Sequence, residues 1–108
     1  MLRASVQQTG RPVDLSAISD VTRDPLLPAG RELRDLTDAA VLRDPYERNL
    51  ALPALVDEAG EAAAVRAAAV AGNFEMMNRL LDAVGVGPTK GSHEIGAAIG
   101  VPPPPRWL

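Results

Sequence analysis

The 108-residue chain is 46% hydrophobic, carries 11 basic against 14 acidic residues, and has no cysteine. These figures exclude disulfides, thiolate nucleophiles and cysteine-ligated metals. The net charge of −3, with no run of Lys or Arg, argues against nucleic acid as a partner, and no stretch of 18 apolar residues exists to span a membrane.

Only 3% of residues are aromatic, so a domain of this size has a thin core of small side chains and gains from a second subunit. "MLRASVQQTGRPV" lacks the apolar region of a secretory signal, and a cytoplasmic location is expected. With one histidine, His93, no metal site is expected, and nothing in the composition calls for a cofactor.

Proline and glycine divide the chain into an N-terminal arm with a short helix (1–30), a helical domain (31–100) and a proline-rich tail (101–108). Within the arm, residues 14–24 offer two helical turns with Leu15, Ile18 and Val21 or Thr22 on one side. "RELRDLTDAAVLR" (31–43) places Leu33, Leu36, Ala40 and Val41 at helical spacing, with Arg34 and Asp38 as an i,i+4 pair on the outside.

"DPYE" (44–47) is a helix start: Asp44 caps, Pro45 is pre-set for the first turn, and Glu47 stands where a capping-box acid belongs. Pro53 either interrupts that helix or starts another, and Gly60 is the expected stop. The longest signal runs from about Glu61 to Val84 and ends at Gly85. Ala63, Ala67, Val70, Phe74, Met77, Leu81 and Val84 keep a 4-3 spacing. Val65, Ala69, Gly72, Met76, Leu80 and Ala83 form a second apolar row.

Such a helix is expected to be buried on several sides. In so small a protein this means oligomerisation, with Phe74, Met76, Met77, Leu80, Leu81 and Trp107 as interface residues. Beyond the "GPTKG" loop, Ser92 is the expected cap of a short helix (93–99) closed by Gly100. "VPPPPRWL" reads as polyproline II, with Trp107 either docking on the thin core or displayed to a partner. No β-alternation is present, so the expected class is all-α.

The polar residues left on the long helix are the candidate site. Asn73 stands apart, while Glu75, Asn78, Arg79 and Asp82 make a strip linked by i,i+3 and i,i+4 spacings. A functional reading makes Arg79, with Asn78, a binding point for a carboxylate, and Glu75, Asp82 or His93 a proton-transfer group. The structural alternative is an ion network or a wet face. "GVGPTKGS" departs from the phosphate-binding loop pattern, because Lys90 precedes Gly91 and no strand leads in. Ser92 lacks a nucleophile elbow.

Two segments, "LRDLTDAAVLRDP" and "LPALVDEAGEAAAVRAAAVAGNFEMMNRLLDAVGVGP", resemble the C-terminal half of alkylhydroperoxidase D-like proteins of the carboxymuconolactone decarboxylase superfamily. The likeness covers residues 31–88. Phe74, Asn78, Arg79, Asp82, Ala83, Gly85 and Val86 match the helix that commonly ends the catalytic domain there. The resemblance implies an all-helical, obligately oligomeric fold with the Asn-Arg-Asp helix packed near an active-site helix.

It does not carry peroxidase activity, whose Glu-x-x-Cys-x-x-Cys centre is missing, nor the acid–base groups of the decarboxylase branch. The expectation is therefore a non-peroxidatic binding or scaffold subunit, homo-oligomeric or paired with a separate catalytic chain. The alternatives are a small acid–base enzyme acting on a carboxylate and an interaction module displaying the tail.

Overall fold

The computed structural model describes residues 10–103 and 105, so the first nine residues and the tail tryptophan, Trp107, lie outside the described part. A 3-10 turn (Leu15–Ile18) precedes four helices: α1 (Gly30–Val41), α2 (Pro45–Ala59), α3 (Glu61–Ala83) and α4 (Lys90–Ala98). Among the described residues there is no strand, and the all-α class is as expected.

Local chemistry sets most boundaries. The Asp44 carboxylate accepts from the Glu47 amide, with Pro45 at the first helical position of α2. α2 then runs through Pro53 without a break, which settles the choice left open by the sequence. Proline removes the bond to the carbonyl four residues back, that of Asn49. Both residues are exposed, so the freed carbonyl is open to solvent.

A single residue, Gly60, ends α2 and begins α3 with φ 91° and ψ 164°. That backbone region is open in practice only to glycine, and it lets two helices meet at a corner with no intervening loop. α3 ends on a Schellman turn, in which the amides of Val86 and Gly85 donate to the carbonyls of Leu81 and Asp82.

The same turn ends α1, where the Asp44 and Arg43 amides donate to the Ala39 and Ala40 carbonyls, but here the left-handed position is Arg43, at φ 54°. Glycine carries no Cβ penalty there. Arg43→Gly is therefore expected to raise the unfolding free energy by about 1 kcal/mol; a lower urea midpoint would show that the Arg43 side chain has a structural role of its own.

Three features differ from expectation. The arm forms one 3-10 turn rather than two helical turns. Thr89, not Ser92, caps α4: its hydroxyl accepts from the Ser92 amide one turn inside the helix. Arg34 does not point outward to Asp38. Its guanidinium reaches back to donate to the carbonyls of Ala17, Val21 and Arg23 at 3.2–3.3 Å, and its side chain is only 13% exposed. The arm brings unpaired carbonyls to this place, and they capture a fork-shaped donor more effectively than one exposed carboxylate does.

The arm is also closed on itself. Asp14 caps the 3-10 turn, accepts from Arg23 at 2.8 Å, and donates its amide to the Pro25 carbonyl. The hydrogen bond from Arg23 holds the Asp14 carboxyl below its ordinary value of 3.8. A depressed folded value stabilises the fold above the ordinary pKa, and that contribution is lost as pH falls through the folded value. Asp14→Asn is therefore expected to be less stable than the native chain at neutral pH, with the difference shrinking below pH ~4; a difference that stays constant across that range would refute the assignment.

The core lies where α1, α2 and the first half of α3 meet. Leu55, with no exposed surface, sits among Leu36, Ala51 and Ala64, flanked by partly buried Leu33, Val56 and Ala67. At 1.5 Å per residue α3 is about 34 Å long against about 18 Å for α1, so its second half overhangs. Along all of α3 only Ala64 is buried. The helix expected to be enclosed on several sides is, within one chain, largely bare. α4 is tied instead to the arm, where the Ser19 hydroxyl donates to the Ile99 carbonyl.

Candidate functional site

Ala64, Ala68, Ala71, Glu75, Asn78 and Asp82 follow one another at 4-3 spacing, so they lie along a single line of α3. Its first members face α1 and α2. Glu75, half-buried, still borders α1 and α2, while Asn78 and Asp82 run out into the overhang, and there the residues turn polar. The candidate strip is the wet continuation of the core-facing line.

Glu75, Asn78, Arg79 and Asp82 do come together: with Leu81 and the Val86–Pro88 loop they line an open cleft of about 460 Å³. Arg79 Nε stands 3.8 Å from Glu75 Oε2, with side chains 68% and 38% exposed. A solvated i,i+4 pair of this kind contributes a few tenths of a kcal/mol. It leaves the Arg79 guanidinium open to a solute anion, but the cleft lacks the water-excluding walls that strengthen electrostatic catalysis.

His93 is not part of that cleft. It lies beyond Pro88, in an apolar pocket of about 420 Å³ with Ile18, Ile95, Ile99 and the start of the tail. Its Nε2 is buried without a hydrogen-bond partner, so no carboxylate orients it there. The first residues of the tail instead fold against α4: the Val101 amide donates to the Gly96 carbonyl, and a Cβ at Gly96 would collide with the Val101 carbonyl.

The larger opening is apolar. A groove of about 640 Å³ runs between α1 and α3, walled by Leu33 and Val41, floored by Ala63 and Ala67, and edged by Val70, Phe74 and Arg66. The α1 wall was not evident from the sequence, because Leu33 and Val41 read simply as the apolar side of their own helix.

Around this groove and on the far side of α3, Val65, Val70, Phe74, Met76, Met77, Leu80, Leu81 and Val84 remain 41–69% exposed. Together they present on the order of 800 Å² of side-chain surface, roughly one partner's share of a standard protein interface. A monomer rarely leaves so continuous an apolar surface in water. Five of the interface candidates, Phe74, Met76, Met77, Leu80 and Leu81, lie on it.

Among the described residues no group of three His, Asp or Glu is placed to hold a metal ion, and no helix is long and apolar enough to cross a membrane. No family model, curated protein or solved structure matches the chain.

Proposed function

We propose that this chain is a non-peroxidatic, cytoplasmic helical subunit that works by association, as a binding or scaffold protein assembled from copies of itself. The observation that carries the reading is the bare apolar face of α3. Its eight large side chains are 41–69% exposed on a helix whose single buried residue is Ala64. Burying such a surface at about 25 cal/mol per Å² is the main drive for association.

The resemblance to the alkylhydroperoxidase D-like superfamily points the same way, toward an oligomeric helical domain. In a chain without cysteine it leaves binding rather than thiol chemistry, with a separate catalytic chain as a further partner class. Light scattering on the size-exclusion peak tests the proposal. A dimer or larger assembly is expected, and a stable, folded monomer at micromolar concentration would overturn it.

A second reading, a small acid–base enzyme acting on a carboxylate, is supported by one observation. Asn78, Arg79, Glu75 and Asp82 share a cleft in which Arg79 would hold the substrate carboxylate. Thermal-shift titration of small carboxylates against the native chain and Arg79→Ala separates the two. A ligand-dependent shift lost in the variant favours the enzyme; equal behaviour assigns the strip to solvent.

A further inference from the structure

The association proposed above leaves open which way two copies meet, and the distribution of side chains along α3 decides it. Successive residues advance 100° around a helix, so the apolar residues from Val65 and Met76 round to Phe74 span an arc of about 180°, opposite Ala64. Only two polar residues fall inside that arc, Arg66 and Asn73, one heptad apart. Within the chain the Arg66 guanidinium makes no hydrogen bond or ion pair among the described residues, and Asn73 has only a long contact of its amide with the Met77 sulfur, at 3.6 Å. Two polar groups in the middle of an apolar face must be satisfied when the face is covered.

Side-chain size is also uneven. The seam is small before Val70, at Ala63 and Ala67, and large after it, at Phe74 and Met77. A parallel second copy would set large against large at one end and small against small at the other, crowding one half and leaving voids in the other.

We propose that the chain dimerises by antiparallel pairing of α3 with α3 of a second copy, across a two-fold axis between Val70 and Ala71. In that register Phe74 stands level with the partner's Ala67, and Met77 lies within about one residue of the partner's Ala63, so large fills small. Phe74 enters the partner's groove between α1 and α3, whose volume of about 640 Å³ accommodates it.

The same register brings each Arg66 beside the partner's Asn73, whose amide oxygen accepts from the guanidinium. The two-fold makes this bond twice, and the interface is isologous and closed.

Because the chain contains no cysteine, single introduced cysteines report the geometry without background. Val70→Cys is expected to form a disulfide-linked dimer under mild oxidation, since cross-linking needs Cα atoms within ~7 Å. Val84→Cys is expected to stay unlinked, and nitroxide labels there should lie about 40 Å apart, from a 1.5 Å rise per residue on both sides of the axis. Arg66→Ala and Asn73→Ala should each weaken the dimer about tenfold, with the double variant little worse than either alone.

A native oligomer whose labels at position 84 lie within about 15 Å would overturn the antiparallel register while leaving association intact, because parallel helices keep like residues 8–10 Å apart. So would efficient cross-linking of Val84→Cys. A monomeric native chain would overturn the association and the register together.

Discussion

Leu55→Ala is expected to lower the unfolding free energy by about 3 kcal/mol at fixed protein concentration. Leu55 has no exposed surface and stands at the point where α1, α2 and α3 meet. Truncation removes the transfer free energy of the lost atoms and leaves a cavity, a combined cost of about 2–5 kcal/mol in well-packed cores. Compensation is scarce in this fold. The neighbours are Leu36, Ala51 and Ala64, and two of those three are alanines, too short to close over the gap.

Total stability of a domain of this size is about 5–15 kcal/mol, so the variant should lose much of its margin. Urea unfolding monitored by helical circular dichroism is the measurement, with an unchanged slope expected because the surface exposed on unfolding is the same. A loss under about 1 kcal/mol would mean that the core relaxes and that α3 is held mainly from outside the chain. Comparing the variant at two protein concentrations separates these contributions, since an associating chain gains stability by mass action.

Arg34→Leu is expected to cost about 2 kcal/mol and to release the arm while sparing the three-helix core. Three carbonyls of the arm, at Ala17, Val21 and Arg23, accept from one guanidinium, and hydrogen bonds to a charged group contribute about 1.5–3 kcal/mol each when fully formed. The effect is well below that sum because the accepting side is partly open to water. The third nitrogen, Arg34 Nε, is buried without a hydrogen bond, its nearest acid oxygen on Asp35 lying 3.9 Å away.

Hydrogen exchange gives a localised readout. Amides of residues 14–25 should lose protection while those of α2 keep theirs. Arg34→Lys should rescue little, because a lysine ammonium lacks the planar fork that reaches three acceptors. Uniform loss of protection would instead make Arg34 part of the global core.

Much of the secondary structure was legible in the sequence because its signals are local. Asp44 and Pro45 start α2, Gly60 turns the corner, and Gly85 closes α3, each through backbone preferences that hold regardless of what packs nearby. Pro53 was ambiguous because proline removes one bond, and whether that matters depends on solvent reaching the Asn49 carbonyl. Thr89 and Ser92 both have capping chemistry, and only the path of the loop chose Thr89.

The candidate site was half legible. The spacing gave the strip of Glu75, Asn78, Arg79 and Asp82, and the fold keeps these residues in one cleft. His93, the other proton-transfer candidate, lies apart from that cleft, because nearness in sequence across a turn is not nearness in space. His93 belongs to the pocket on the other side of Pro88.

Taken alone, the sequence determined that the chain is helical, where the middle helices start and stop, and that one of them carries far more apolar surface than a small domain can cover. These follow from periodicity, capping and composition, which act within a few residues. Tertiary structure decided what the long helix does with that surface. α1 and α2 are too short to run along its whole length, so the core-facing line turns polar towards its end and the opposite arc is left bare. Helix lengths and crossing points are properties of the packed molecule, and no local preference encodes where one helix runs out beside another.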